Sequence, residues 1–302
     1  MKRRRFLASL AAFVPVVLCT DSRLLLAEEP VTSLLPSLPV KTRISLNVFS
    51  FDRALRDGLT NIPGVLDFAA QTGFDAVDIT GYFFPGYPNV PPDDYLFDLK
   101  HRAFRLGLEI CGTGIKNDFT NPDPEARKLE KQLVKDWIVV ASKLGAQTLR
   151  IFAGLAVPEG YTWKQAAEWI AADIEECAQF AQQYGVFLAL QNHDDFIKTS
   201  DDVETLLQMI HSDWVGLMLD IGSYRSGDPY DEIAKTIKYA ITWQVKEEVY
   251  INDKRVPTDF DRLKKIVDAS SYRGYFPVET LGQGDPKVKV VRMFEELKKR
   301  FG

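Results

Sequence analysis

Six polar residues stand at or just beyond the ends of short apolar runs. Gln191 and His193 follow Val186-Phe-Leu-Ala-Leu190, and Asp220 closes Val215-Gly-Leu-Met-Leu-Asp220. Gln244 and Lys246 lie in Ile241-Thr-Trp-Gln-Val-Lys246, and Glu279 closes Gly274-Tyr-Phe-Pro-Val-Glu279. Burying a carboxylate after such a run is unfavourable unless a partner faces it. Asp220 and Glu279 therefore call for a cation, a basic side chain or a bound molecule. Carboxylates in such positions hold hard cations through oxygen or act as bases on a substrate proton. The other reading is a salt-bridge network with Arg150 and Lys246, since ion pairs also perturb such groups. Residues two apart on a strand share a face, so Gln191 is expected to share one with His193, and Gln244 with Lys246.

The elements that carry these residues repeat one unit. Gly73, Gly107, Gly145 and Gly185 each end a helix-like segment and precede a short apolar strand, at spacings of 34, 38 and 40 residues. Glycine suits the left-handed position after a helix. The intervening helices have one apolar face: Leu129, Leu133, Trp137, Ala141 and Leu144 in one, and Ala166, Ile170, Ile174, Cys177, Ala178 and Ala181 in the next. Strands at Ile44–Val48, Phe74–Ile79, Leu108–Cys111 and Thr148–Phe152 join the four above to make eight. Alternating strands and helices imply a parallel sheet. Eight units imply closure into an α/β fold of the (β/α)8 TIM barrel type over residues 42–302, close to the roughly 250 residues such barrels need. An open doubly wound sheet is the alternative, and no second domain is visible.

Chemistry in such barrels gathers at the C-terminal ends of the strands. That rule adds Asp78 on the second strand, Asn117 and Asp118 beyond the third, and Arg150 on the fourth. After the second strand come Tyr82, Phe83, Phe84 and Tyr87, interleaved with Pro85, Pro88 and Pro91. A stiff aromatic loop suits stacking on a sugar ring and excluding water, with self-packing as the alternative. Gly282-Gln-Gly284 lies where barrels often hold phosphate, although a plain turn also accounts for it.

The N-terminus reads differently. Met1-Lys-Arg-Arg-Arg5 precedes the apolar run Phe6–Leu18, the layout of an export signal. Arg3-Arg4-x-Phe6-Leu7 resembles a twin-arginine signal, with a general secretory signal as the alternative. The run is shorter than the roughly 20 residues of a membrane span. The expectation is a signal peptide over residues 1–27, a linker over 28–41 and an exported, periplasmic protein without a stable membrane span. Val16-Val17-Leu18-Cys19 leaves lipidation as a minor alternative. Removing residues 1–27 takes away five basic residues and Asp21, so the formal charge moves from −5 to −9. An acidic domain does not attract nucleic acid. Cys111 and Cys177 read as buried free thiols without a disulfide framework.

Taken together, Gln191-Asn-His193, Leu219-Asp220-Ile-Gly222, Trp243-Gln-Val-Lys246 and Val278-Glu279 resemble the motifs of the xylose isomerase-like barrels. This superfamily of sugar phosphate isomerases and epimerases also includes endonuclease IV. The resemblance covers roughly residues 42–300, in order. Thr80-Gly-Tyr-Phe-Phe-Pro-Gly-Tyr87 with Gly112-Thr-Gly-Ile-Lys-Asn-Asp118 resembles an exported subgroup. In the family, four strand-end positions carry Glu, Asp, His and Glu and hold one divalent metal. Carried over, these are Gln191, Asp220, Gln244 and Glu279. Gln191 thus replaces a carboxylate and Gln244 an imidazole. Amide oxygens still suit Mg²⁺, Mn²⁺ or Ca²⁺. The ligand charge nevertheless falls from −3 to −2 and the nitrogen donor is lost, which disfavours Zn²⁺ and weakens any metal.

The resemblance implies proton transfer next to a carbonyl, with a metal polarising the oxygen and a carboxylate taking the proton. Epimerases commonly place a carboxylate on each face of the substrate, and Gln191 cannot serve as a base. The expectation is therefore a sugar isomerase with Glu279 as its single base, in aldose–ketose fashion. A lyase acting on keto-glycosides and a non-catalytic sugar-binding barrel are the alternatives. His193 and Lys246 are expected to assist catalysis, and Arg150, Asn117, Asp78, Tyr82 and Phe84 to contact the substrate. The endonuclease branch needs a histidine-rich zinc cluster. This chain has only His101, His193 and His211, and His101 and His211 fall in helical segments.

Overall fold

The computed structural model describes residues 42–193 and 195–302; the expected signal and linker lie outside the described residues. Eight parallel strands close into a barrel: β1 (Arg43–Asn47), β2 (Ala76–Thr80), β3 (Glu109–Gly114), β4 (Thr148–Ile151), β5 (Phe187–Gln191), β6 (Val215–Asp220), β7 (Ala240–Lys246) and β10 (Tyr275–Glu279). Closure is made by β10 pairing with β1, from Arg43 opposite Tyr275 to Leu46 opposite Val278. The open-sheet alternative is thereby excluded. Around the barrel run α1 (Asp52–Arg56), α2 (Ile62–Thr72), α3 (Asp93–Arg105), α4 (Pro124–Leu144), α5 (Trp163–Tyr184), α6 (Ser200–Met209), α7 (Pro229–Thr236), α8 (Phe260–Asp268) and α9 (Pro286–Phe301). Among the described residues, no helix is long and apolar enough to cross a membrane.

Local chemistry sets the helix ends. Asp123, Asp228 and Asp285 each precede a proline and accept a hydrogen bond from the amide two residues on, so α4, α7 and α9 start by one device. Thr162 with Gln165 and Thr199 with Asp202 form capping boxes on α5 and α6. Gly145 and Gly185 end α4 and α5 with positive φ, and their amides return to the last turn. The expected face of α5 is buried throughout. That of α4 is corrected at its start: Leu129 is 73% exposed. The first turns of α4 are aligned instead by Arg127, whose buried guanidinium binds Asp173 of α5 at 2.6 Å. His211 also departs from expectation, following α6 rather than lying in it. Cys111 and Cys177 are buried free thiols, as expected.

A hairpin unforeseen from the sequence, β8 (Glu248–Ile251) and β9 (Lys254–Pro257), sits between β7 and α8. Its turn residues, Asn252 and Asp253, both have positive φ, as two-residue hairpin turns require. Its strands are too short for their alternation to stand out.

Two register shifts matter for the barrel mouth. Between β2 and β3 the pairing skips Cys111, setting Asp78 opposite Gly112. Between β6 and β7 it skips Ile241, setting Asp220 opposite Gln244. Pairing of β10 with β7 sets Glu279 opposite Lys246. Bulges of this kind re-aim side chains near functional sites.

The loop after β2 is seated on α4. Trp137 is fully buried, lies 5.5 Å from Phe84 and 5.4 Å from Tyr87 between ring centroids, and donates its indole N–H to the Pro88 carbonyl. A Cβ on Gly81 would come within 2.8 Å of the Trp137 ring, so glycine there permits the approach. Trp137→Ala should cost about 3–5 kcal/mol in urea unfolding. A loss below about 1 kcal/mol would show that the ring does not support the loop.

Candidate functional site

The mouth is built around one ammonium group. Lys246 Nζ lies 3.0 Å from Asp220 Oδ2 and 3.0 Å from Glu279 Oε1. Asp220 Oδ2 also accepts from Gln191 Nε2 at 2.8 Å, and its Oδ1 accepts from the Gly222 amide at 2.9 Å. Glu279 Oε2 accepts from Gln244 Nε2 at 2.5 Å, while Gln244 Oε1 accepts from Gln191 Nε2 at 2.6 Å. The chemistry fixes the direction of this chain. An ionised carboxylate only accepts, so Gln244 turns its NH₂ to Glu279 and its oxygen to Gln191, which must then donate. All four residues proposed from the sequence as ligands are thus neighbours in one network, and the salt-bridge alternative is realised through Lys246.

Burial makes the network electrostatically strong. Asp220 is fully buried, and the side chains of Glu279 and Lys246 are 4% and 16% exposed. Burial alone would depress the Lys246 ammonium, but the charges of Asp220 and Glu279 and its hydrogen bonds to both push it above the ordinary lysine range. Burial raises Glu279, with Lys246 opposing and the Asp220 charge adding to the rise.

Two residues missed from the sequence hold the network in place. Asn192 is fully buried; its Nδ2 donates to the Asp220 carbonyl at 2.9 Å, and its Oδ1 accepts from the Asp220 amide at 2.8 Å. It laces the end of β5 to that of β6. Gly222 leaves room for the lysine, since a Cβ there would lie 2.7 Å from Lys246 Cδ. The signals were present in Gln191-Asn192 and Asp220-Ile-Gly222, but neither says what the second residue touches.

Two further ionisable side chains, Asp78 and Arg150, lie across the barrel without a direct bond between them. Asp78 is buried, and its carboxyl is pushed up to about 6 by burial, with the Arg150 charge opposing and that of Glu279 contributing. Arg150 donates to the Ile115 carbonyl and lies 4.3 Å from the Phe152 ring centroid and 5.3 Å from that of Tyr82. Gly112 and Gly114 make space for both side chains: a Cβ on the first would lie 3.3 Å from Asp78 Cγ, and one on the second 2.8 Å from Arg150 Nε. Half-buried Tyr82 thereby joins the charged wall.

Three proposed site residues fall elsewhere. Phe84 is buried against Trp137 and Tyr95, where an apolar ring gains more than at a polar mouth. Asn117 spends its amide on the backbone N–H and C=O of Phe152, bracing the loop after β3 to that after β4. His193 pairs with Asp195 at 2.6 Å and meets Phe152 edge-on, with its side chain 43% exposed. The described residues show no hydrogen bond or ion pair from it to Asp220, Lys246 or Glu279. β5 ends at Gln191, so His193 follows the strand rather than lying in it.

The donor set as arranged does not fit a divalent metal. Every oxygen of Asp220 and Glu279 accepts a hydrogen from a protein donor. Both amide nitrogens point into the network, and the ammonium lowers the local charge of the set from −2 to −1. Among the described residues, no group of three or more His, Cys, Asp or Glu is arranged to hold a metal ion.

Residues 66–299 match the family model described as xylose isomerase-like TIM barrel. Among solved structures, a D-psicose 3-epimerase from Clostridium cellulolyticum H10, crystallised with D-tagatose, superposes with a TM-score of 0.72 at 16% identity, covering 86% of this chain and 99% of that one. The 3-keto-D-glucoside 4-epimerase of E. coli gives 0.67 at 12% identity, over 86% and 99%. A probable 3-DHS dehydratase of Bacillus anthracis gives 0.65 at 15% identity, over 86% and 100%. At these identities the likeness is one of fold. No curated protein sequence matches the chain.

Asp78 generates a stability prediction. Its folded value of about 6 lies above the ordinary 3.8, so the folded chain binds this proton more tightly. The resulting stabilisation is complete below about pH 4 and lost as pH rises through about 6. Between pH 4 and pH 8, the stability difference between Asp78→Asn and the parent should move by about 2 kcal/mol in the variant's favour. Parallel denaturation profiles across that range would refute the assignment.

Proposed function

The chain belongs to the xylose isomerase-like TIM barrel family, and from that premise we propose that it is an enzyme moving a proton at the carbon next to the carbonyl of a sugar or sugar derivative, with Glu279 as the base. One observation carries this reading: a buried carboxylate at a C-terminal strand end, held beside an ammonium that it shares with Asp220. The family and the sugar epimerases among the structural neighbours support the substrate class.

In this reading a substrate carbonyl oxygen lies toward Lys246, the donor suited to a developing oxyanion. Glu279 takes the proton from the adjacent carbon, and the electron pair moves to the oxygen as an enediolate. Return of the proton to the neighbouring carbon, with transfer of the hydroxyl proton between oxygens, moves the carbonyl by one position. A single base suffices, which accords with the amide at Gln191. Arg150 and Tyr82 wall the opposite side, where a polar rim and an aromatic edge suit a polyhydroxy ring.

A second reading rests on Asp78. A carboxyl with a value of about 6 carries its proton part of the time near neutrality, as a general acid does. Given a keto-glycoside, the same enediolate expels a β-alkoxy group, which Asp78 protonates. The two outcomes differ in product: an isomer of unchanged mass, or an enone plus the released alcohol.

The test is incubation with unphosphorylated aldoses, ketoses and 3-keto-glycosides in D₂O, followed by NMR and mass spectrometry. Deuterium should enter at the carbon beside the carbonyl. Glu279→Gln should slow entry by about 10²–10⁴-fold without abolishing ligand binding. Because Glu279 is raised, the acid limb of the rate profile should lie above the usual carboxylate range, with the rate falling as pH drops through it. Binding without exchange across the panel would identify a sugar-binding barrel instead.

A further inference from the structure

We propose that the Lys246 ammonium is the resident cation of this barrel, standing where the resemblance implies a divalent metal, so that the site works without one. Three independent features carry this.

The first is the use of all four carboxylate oxygens and of both amide nitrogens. A metal at Gln191, Asp220, Gln244 and Glu279 needs oxygen lone pairs converging on one point. Here Asp220 and Glu279 converge on Nζ at 3.0 Å each. Turning the amide oxygens inward would break the hydrogen bonds from Gln191 to Asp220 and Gln244 and from Gln244 to Glu279. The two departures from the family set are therefore linked. An amide at 191 and an amide at 244 together relay donation to a pair of carboxylates that a monovalent cation already bridges.

The second is a space made for the lysine. The methylenes of Lys246 run past Gly222, where even a methyl group would come within 2.7 Å of Cδ. The amide of that glycine also binds Asp220 Oδ1. The third is register. The shift at Ile241 and the pairing of Glu279 with Lys246 bring this side chain, rather than a neighbour, between the two carboxylates. Charge follows the same logic. A divalent ion beside a fixed ammonium would face repulsion that the reduced ligand charge cannot offset.

The functional consequence is a non-exchangeable electrophile. A protein-borne ammonium supplies one positive charge and N–H donors to a substrate oxygen, and no chelator removes it. This inference rests on the proposed chemistry only for that consequence; the cation assignment can be read without a substrate.

The experiment uses the full chain, purified, stripped with EDTA and titrated with Mn²⁺, Mg²⁺ and Zn²⁺ by calorimetry, with melting curves at each metal concentration. Elemental analysis of the untreated protein accompanies it. Wild type should carry no stoichiometric metal, bind none at 1:1 below about 1 mM, on the weak side of sensor-type oxygen sites, and melt at an unchanged temperature. The variant Q191E/Q244H/K246A, which restores the family's ligand types and removes the ammonium, should bind one Mn²⁺ at least about 100-fold more tightly than wild type and melt higher with metal. Stoichiometric Mn²⁺ or Zn²⁺ binding to wild type would overturn the inference, whether or not the variant folds. Deuterium exchange by a metal-binding wild type would leave the proposed reaction standing while removing this assignment. A metal-free chain without exchange would do the reverse.

Discussion

An ammonium between two buried carboxylates governs the arrangement of this barrel's mouth. Two anions with little access to water repel each other, and each loses hydration that the protein must replace. Lys246 meets both from 3.0 Å. Gln191, Gln244 and the Gly222 amide supply the remaining donors. Remove the cation and the same residues become a destabilised anionic pair, so the amides, the glycine and the lysine make physical sense only together.

The barrel delivers these groups through register. A strand presents alternate residues to the interior, and a slip of one residue exchanges the two faces. The shift between β6 and β7 places Gln244 beside Asp220, and the pairing of β10 with β7 places Lys246 beside Glu279. Asn192 then closes the gap between β5 and β6 with both ends of its amide. The opposite wall is assembled in the same way. A shift past Cys111 sets Asp78 against Gly112, while Gly114 leaves space for Arg150. The mouth therefore has two carboxylates bridged by one ammonium on one side, and on the other a buried carboxyl with a guanidinium that lies against aromatic rings.

That asymmetry connects the geometry to the proposed chemistry. Glu279 is bonded directly to a cation, whereas Asp78, equally buried, has Arg150 acting only through space. Burial raises both carboxyls, and they differ in their partner: Glu279 is bonded to an ammonium, while Asp78 feels the Arg150 charge. Trp137 and the loop it seats bring Tyr82 to the same side, which ties the packing of α4 to the access of a ligand.

The sequence by itself determined the eight strands, the glycine stops and the polar strand ends, because alternation, helix termination and the expense of burying charge act over a few residues. It also identified Gln191, Asp220, Gln244, Lys246 and Glu279 as members of one site. It did not show that Phe84 turns into the core, that Asn117 braces two loops, or that His193 stays apart with Asp195. Nor did it show the hairpin after β7 or the exposure of Leu129. Only the tertiary structure decided which cation the carboxylates face. That choice depends on strand register and on the space at Gly222, both set by contacts between residues distant in the chain, and no local pattern records them.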